Sequence, residues 1–340
     1  MQFISYYNFR RLLERLSKDF LVYTPQFINE KDYDYSLFKE EFTFNPYRMI
    51  SSPRQFFTAS SSLIVGYFDS KISRREIKPF AIVGLKSCDL YSLKIQDYVF
   101  LEGDFIDEEY KKKREANLII SSDCTSFKEV CFCLNLEIKP YPQEGFDFNL
   151  SDVDRGFLVE IGSEKAKKIW EDNKDLFEER EDLSERRQAK RKKIIKELET
   201  FLKSQALVEK ENLYELIKRS RESELWREEA LKCVECGACI MNCPTCHCFL
   251  LSDEEKEGEY FRGRIWDGCQ YKNFAKVAGG ANPLKLRAQR LRNRYIKKFE
   301  FFKERIELYA CTGCGRCIEA CLAKIDIREI FKNLSKSLRL

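Results

Sequence analysis

The chain has 340 residues, a formal net charge of +4, 44% hydrophobic residues and 15 cysteines against one histidine. That length suggests two domains and is ample for a core, while 60 Lys and Arg against 56 Asp and Glu leave no excess charge to favour nucleic acid or a membrane surface. No apolar run approaches the roughly 20 residues of a membrane span, and the opening MQFISYYNFRRLLERL lacks the apolar stretch of an export signal.

In chain order, residues 8–20 place Phe9, Leu12, Leu13, Leu16 and Phe20 on one stripe, which predicts an amphipathic helix. Apolar runs at residues 63–68, 80–85, 118–120 and 157–161 predict strands. Between the second and third, Leu90, Leu93, Ile95 and Tyr98 have roughly helical spacing. That is a candidate βαβ unit, which makes its two strands parallel. Residues 1–162 therefore read as an α/β domain.

Residues 163–230 contain no glycine or proline, with 18 acidic and 18 basic side chains. This predicts a connector of solvated helices laced by i,i+4 ion pairs. Beyond it the pattern predicts short helical pieces around cysteine loops. A long helix is expected from Pro283 to about Tyr309, on the stripe Leu284, Ala288, Leu291, Tyr295, Phe299, Phe302, Ile306 and Tyr309. The expected class is α+β: an α/β domain, the connector, and an α-helical domain over residues 231–340.

An odd cysteine count without a secretion signal points to a reducing, cytoplasmic setting and to metal. Cys233, Cys236, Cys239 and Cys243 follow C-x2-C-x2-C-x3-C, and Cys311, Cys314, Cys317 and Cys321 repeat the spacing. In ferredoxin-type runs, three thiolates of each run hold one 4Fe-4S cubane and the fourth reaches the other. Cluster one would take Cys233, Cys236, Cys239 and Cys321; cluster two would take Cys311, Cys314, Cys317 and Cys243. The small residues Gly237, Ala238, Gly313 and Gly315 allow backbone N–H groups near the sulfurs. Paired C-x2-C motifs also suit structural zinc, but zinc does not call for four cysteines per run with a crossover. Two features depart from a compact ferredoxin: Leu322 follows the second run where proline is usual, and 67 residues separate Cys243 from Cys311.

Cys88 and Cys124 each lie just past a predicted strand, and Cys131 and Cys133 follow as C-x-C. With parallel strands, these thiols emerge at one carboxyl edge of the sheet, where α/β folds bind ligands. They are either a third cluster site or unrelated buried thiols; spacing alone does not choose.

The segments GLKSCDL, CTSFKEVCFC, GFDFNLSDVDRGFLVEIG, CVECGACIMNCPTCHC, RIWDGC, AGGANP and CTGCGRC occur in this order. Together, over roughly residues 1–335, they resemble a family that comprises the β (iron–sulfur) subunits of soluble sulfhydrogenases and the corresponding electron carriers of anaerobic sulfite reductases. The resemblance implies a cytoplasmic protein carrying electrons between a partner with flavin and nicotinamide sites and a catalytic partner, a hydrogenase or a sulfite reductase. It also favours the third cluster at Cys88, Cys124, Cys131 and Cys133. Ala281 stands where the family pattern leads one to expect histidine.

Cys246, Cys248 and Cys269 remain, either as small buried residues or as further ligands, with Asp267 or His247 as a non-cysteine partner. No G-x-G-x-x-G fingerprint and no phosphate loop occurs, so no flavin or NAD(P) site is expected here. No nickel–iron site is expected either, because its paired cysteines would have to come from the cluster runs. The chain reads as a carrier without substrate chemistry of its own. Residues 284–298 hold seven basic residues and no acidic one. They form either a solvated face, a positive field that favours cluster reduction, or a surface orienting an acidic partner. The rival of another class is a zinc-stabilised scaffold.

Overall fold

The structure, a computed structural model, describes residues 1–67 and 78–338. The chain packs as two compact units. The first is built from Met1–Pro53, the chain that leads to Gln205, and the short segment Thr312–Cys314. The second takes the chain from Arg54 through a strand ending at Tyr67, then Ala206–Cys311 and the residues from Gly315 onward.

The first unit is organised by an eight-stranded sheet in the order Asp32–Leu37, Leu21–Asn29, Phe80–Leu85, Leu118–Ser122, Phe148–Val153, Gly156–Ile161, Gln2–Ser5 and Glu178–Glu179. The four strands from Leu21–Asn29 to Phe148–Val153 run parallel, and the remaining pairs are antiparallel. The Phe80–Leu85 and Leu118–Ser122 strands are buried on both faces, as parallel strands covered by helices must be. They are joined through helices Ser87–Leu101 and Glu108–Ala116, which confirms the expected parallel βαβ unit.

The first expected helix forms over Tyr6–Leu16, with the Ser5 hydroxyl accepting from the Asn8 N–H as its cap. It buries Phe9, Leu12, Leu13 and Leu16 against Ala81, Val83, Leu118, Ile120, Phe148 and Phe157. The connector segment forms helices Glu164–Asp172, Ser184–Ser204, Lys210–Arg219 and Leu225–Lys232, of which the longest lays Arg187, Arg191, Ile194, Leu198 and Leu202 inward.

In the second unit the structure differs from the all-helical expectation. Phe249–Lys256 and Glu259–Trp266 form a hairpin, and Ser61–Tyr67 completes a three-stranded antiparallel sheet. The run expected over 63–68 is thus a strand of this sheet, with Phe68 outside the described residues. Glu257 and Gly258 both take positive φ, which is the primed two-residue turn a hairpin favours.

The long helix also starts later than expected. Pro283 and Leu284 lie in a turn, and the helix begins at Arg287. It runs to Ile296, widens into a π-helical turn over Lys297–Phe301, and ends with Phe302–Ile306. Leu291, Tyr295 and Phe299 of the expected stripe are buried, with Tyr309 beyond the helix end.

Candidate iron–sulfur centres

Each ferredoxin-type run folds by the same local rule. Gly237 and Gly315 sit in the left-handed region at φ 76° and 71°, and each opens a one-turn helix, Ala238–Met241 and Arg316–Glu319. Glycine takes that conformation without the Cβ clash that penalises other residues. The two short helices pack together within the second unit.

One cavity of that unit is lined by Cys233, Cys236 and Cys239 from the first run and by Cys317 and Cys321 from the second. Backbone N–H groups already donate to the sulfurs at its mouth: Glu235 to Cys233 Sγ at 3.4 Å and Ile325 to Cys321 Sγ at 3.3 Å. Burial pushes the Cys239 thiol up to about 12, with Arg294 pulling it back.

A second group surrounds Lys298, which is 5% exposed and sits in the π-helical turn. Its ammonium donates to Thr245 Oγ1 (2.7 Å), the Ala310 carbonyl (2.9 Å) and Cys243 Sγ (3.4 Å). Burial works against this charge, but Cys243, Cys246 and Cys311 outweigh burial and hold its pKa above the ordinary lysine value. Cys243 is held well below the ordinary thiol value, first by its hydrogen bond with Cys246 and despite burial. Cys314 packs with the first unit, where the Arg48 guanidinium donates to its carbonyl at 2.7 Å.

In that first unit Cys88 opens the helix after the Phe80–Leu85 strand, while Cys124 follows the Leu118–Ser122 strand. Because the strands are parallel, both lie at the carboxyl edge, and Cys131 and Cys133 come from the same loop as Cys124. Lys86 is 0% exposed, and its Nζ donates to three neutral oxygens: Asn45 O (2.7 Å), Ser122 Oγ (2.8 Å) and Asp123 O (2.9 Å). Burial lowers its pKa, while Cys124, Asp123, Asp89 and Cys88 oppose that shift. Burial also pushes Cys124 up to about 12, and Cys133 well above the usual thiol value with Cys131, Cys124 and Cys314 adding to it.

Phe132 N–H donates to the Gly313 carbonyl at 2.8 Å. Gly313 has φ +62°, and a Cβ there would lie 2.5 Å from the Cys133 backbone. The thiols singled out at this sheet edge therefore stand beside the tip of the second run.

The three remaining cysteines separate. Cys246 joins Cys243, while Cys248 and Cys269 are mutual electrostatic neighbours where the hairpin enters and leaves. The Asp267 N–H donates to the Cys248 carbonyl at 3.1 Å, and the Asp267 carboxylate accepts from Gly268. His247 is held neutral by burial, its pKa down to about 4, with Nδ1 3.1 Å from the Thr245 carbonyl and its ring against Phe302. Arg54, a residue absent from the sequence expectations, is 1% exposed; it donates to the Cys246 carbonyl at 2.8 Å and stacks 3.5 Å over Trp266.

These surroundings fit anionic clusters. Buried cations face the thiol groups, and the Arg294 Nε at the first cavity is buried without a hydrogen-bond partner. A charge so placed is costly unless an anion stands opposite. All fifteen cysteines are described, and none forms a disulfide. Among the described residues no three His, Cys, Asp or Glu side chains converge on one point.

Comparison with known proteins agrees with this class. Residues 232–325 match the 4Fe-4S dicluster domain, so the protein is an iron–sulfur protein of the dicluster type. Sulfhydrogenase 2 subunit beta of Pyrococcus furiosus is 31% identical over 306 residues, spanning 88% of this chain and 87% of that protein. The chain belongs to the sulfhydrogenase beta-subunit family and is an iron–sulfur electron-transfer subunit. The dicluster match favours iron–sulfur sites over a zinc-stabilised scaffold. No solved structure matches the chain. Among the described residues no helix is long and apolar enough to cross a membrane.

Proposed function

We propose that this chain is the relay subunit of a cytoplasmic nickel–iron hydrogenase, passing single electrons between a flavin- and NAD(P)-binding partner and the catalytic subunit. Two 4Fe-4S sites are assigned by the crossover rule, Cys233, Cys236, Cys239 and Cys321 to one and Cys311, Cys314, Cys317 and Cys243 to the other. A third is assigned to Cys88, Cys124, Cys131 and Cys133. When bound, each cubane supplies a one-electron couple whose potential follows from hydrogen bonding, burial and local charge.

The observation that most supports the reading is the cavity where Cys233, Cys236 and Cys239 of the first run meet Cys317 and Cys321 of the second. The chain's own residues prepare the sites. Glu235 and Ile325 N–H groups soften the charge on Cys233 and Cys321, and Lys298 does so for Cys243. Lys86 provides a positive charge near Cys88 and Cys124. A reducing compartment suits fifteen cysteines without a disulfide.

Purification of the native complex under anaerobic conditions tests the assignment of partners. The chain is expected to co-purify with a nickel–iron large subunit, together with a flavin-containing one. A sirohaem protein in their place would transfer the same relay to sulfite reduction and overturn the hydrogenase reading.

A further inference from the structure

Helix Arg287–Ile296 and the π-helical turn that follows it carry three buried cations at four-residue spacing: Arg290, Arg294 and Lys298, 3%, 6% and 5% exposed. Two are fully engaged by their surroundings. Arg290 donates to the carbonyls of Gln270 (3.2 Å), Leu284 (3.0 Å) and Lys285 (2.7 Å), and it pairs with Glu235. Lys298 uses Ala310, Thr245 and Cys243.

Arg294 is different. Its buried Nε has no hydrogen-bond partner, and no carboxylate among the described residues pairs with it. It lines the cavity of Cys233, Cys236, Cys239, Cys317 and Cys321. Its electrostatic neighbours come from both runs, namely Cys239, Cys317 and Cys243, with Tyr295 beside it. Arginine stays protonated in proteins, so this interior charge is permanent. An unpaired guanidinium in such a place is strongly disfavoured without an opposing anion.

We propose that Arg294 is the shared counter-charge of the two ferredoxin-type sites, a positioning residue whose planar fork of donors faces the thiolate sulfurs of both runs. One positive charge between two anionic centres favours the reduced state of each. A single side chain thereby shifts both couples in the same direction, whereas Lys298, which bonds only Cys243 among the sulfurs, acts chiefly on the site that takes Cys243. This inference rests on the ligand assignment above. Wild-type iron below about eight per chain, or zinc in its place, would refute that assignment independently of Arg294.

The test uses the full-length chain, purified anaerobically, with iron and acid-labile sulfide counted and midpoint potentials read by EPR-monitored titration. Arg294→Met and Arg294→Gln both remove the charge, and Gln keeps an N–H donor. With iron content retained, both C-terminal couples are expected to move to more negative potentials. The expected change is roughly tenfold in each reduction equilibrium, which is about 59 mV for a one-electron couple. Lys298→Met should move one couple much more than the other. A shift in one couple only, or in neither, at full iron content would overturn the shared role. Loss of iron in both Arg294 variants, with the Lys298 variant still loaded, would show a purely structural residue and overturn it as well.

Discussion

At the scale of one residue, Lys86 is a fully buried cation beside Cys88 and Cys124. Its ammonium is out of solvent and bonded to Asn45, Ser122 and Asp123 oxygens, all of them neutral. Lys86→Met would strand those acceptors at roughly 1–3 kcal/mol each and remove a positive charge close to Cys88 and Cys124. Iron per chain is expected to fall by about four, with the two C-terminal EPR signals retained. Unchanged iron would show that the third site does not need this charge. The eight cysteines of the two ferredoxin-type runs could be read from the sequence because C-x2-C-x2-C-x3-C is a covalent-spacing rule. Lys86, Arg54 and Arg294 could not be singled out in that way. Nothing in KSCDL, SSPRQ or LRNRY distinguishes a buried cation from a solvated one, and only packing makes the distinction. The basic stretch 284–298 divides accordingly: Lys285 and Arg287 are exposed, while Arg290, Arg294 and Lys298 are buried.

At the scale of elements, helix Ser184–Ser204 is fastened to the sheet by a buried ion pair beside Cys124. Arg191 donates to both oxygens of Asp123 (2.7 and 3.1 Å) and to Glu160 (2.7 Å). The Asp123 carboxylate also accepts from Asn149 and Ser151. Arg191→Met leaves Asp123 buried without its cation, and about 3–5 kcal/mol of stability should be lost in denaturant unfolding. A loss near zero would show that the carboxylate is adequately held by Asn149 and Ser151 alone. The loop contact of Gly313 gives a second prediction at this scale. Gly313→Ala puts a Cβ 2.5 Å from the Cys133 backbone, which should cost about 1–3 kcal/mol by overpacking plus about 1–2 kcal/mol from the left-handed φ. Thermal unfolding of the loaded protein reads it, and an unshifted midpoint would contradict the close approach.

The βαβ unit was readable because Phe80–Leu85 and Leu118–Ser122 are apolar on both faces. Phe148–Val153 was not, because Asn149 and Ser151 are buried polar residues serving Asp123 and make the strand resemble a loop. Leu21–Asn29 was hidden by Pro25 and by a burial pattern that fades toward one end. The Phe249–Trp266 hairpin was missed because its charged middle lacks apolar alternation, although Glu257-Gly258 was a turn signal.

On the scale of the whole molecule, segments far apart in the sequence contribute to one compact unit. Thr312–Cys314 packs with the sheet that carries Cys88, Cys124, Cys131 and Cys133, and the Phe132–Gly313 hydrogen bond joins the two cysteine loops. No pattern in either segment could have announced that contact, since it depends on how the intervening chain returns the second run. Within that unit the loop of Cys131 and Cys133 lies against Gly313. The double variant Cys88→Ser, Cys124→Ser should lose about four irons per chain while keeping the dicluster signals, and an unchanged count would reject the third site. The most direct test of the account is iron, acid-labile sulfide and zinc per chain in the anaerobically purified wild-type protein. Three cubanes predict about twelve irons and twelve sulfides with negligible zinc. About eight irons would contradict the third site, and zinc in place of iron would contradict the relay itself.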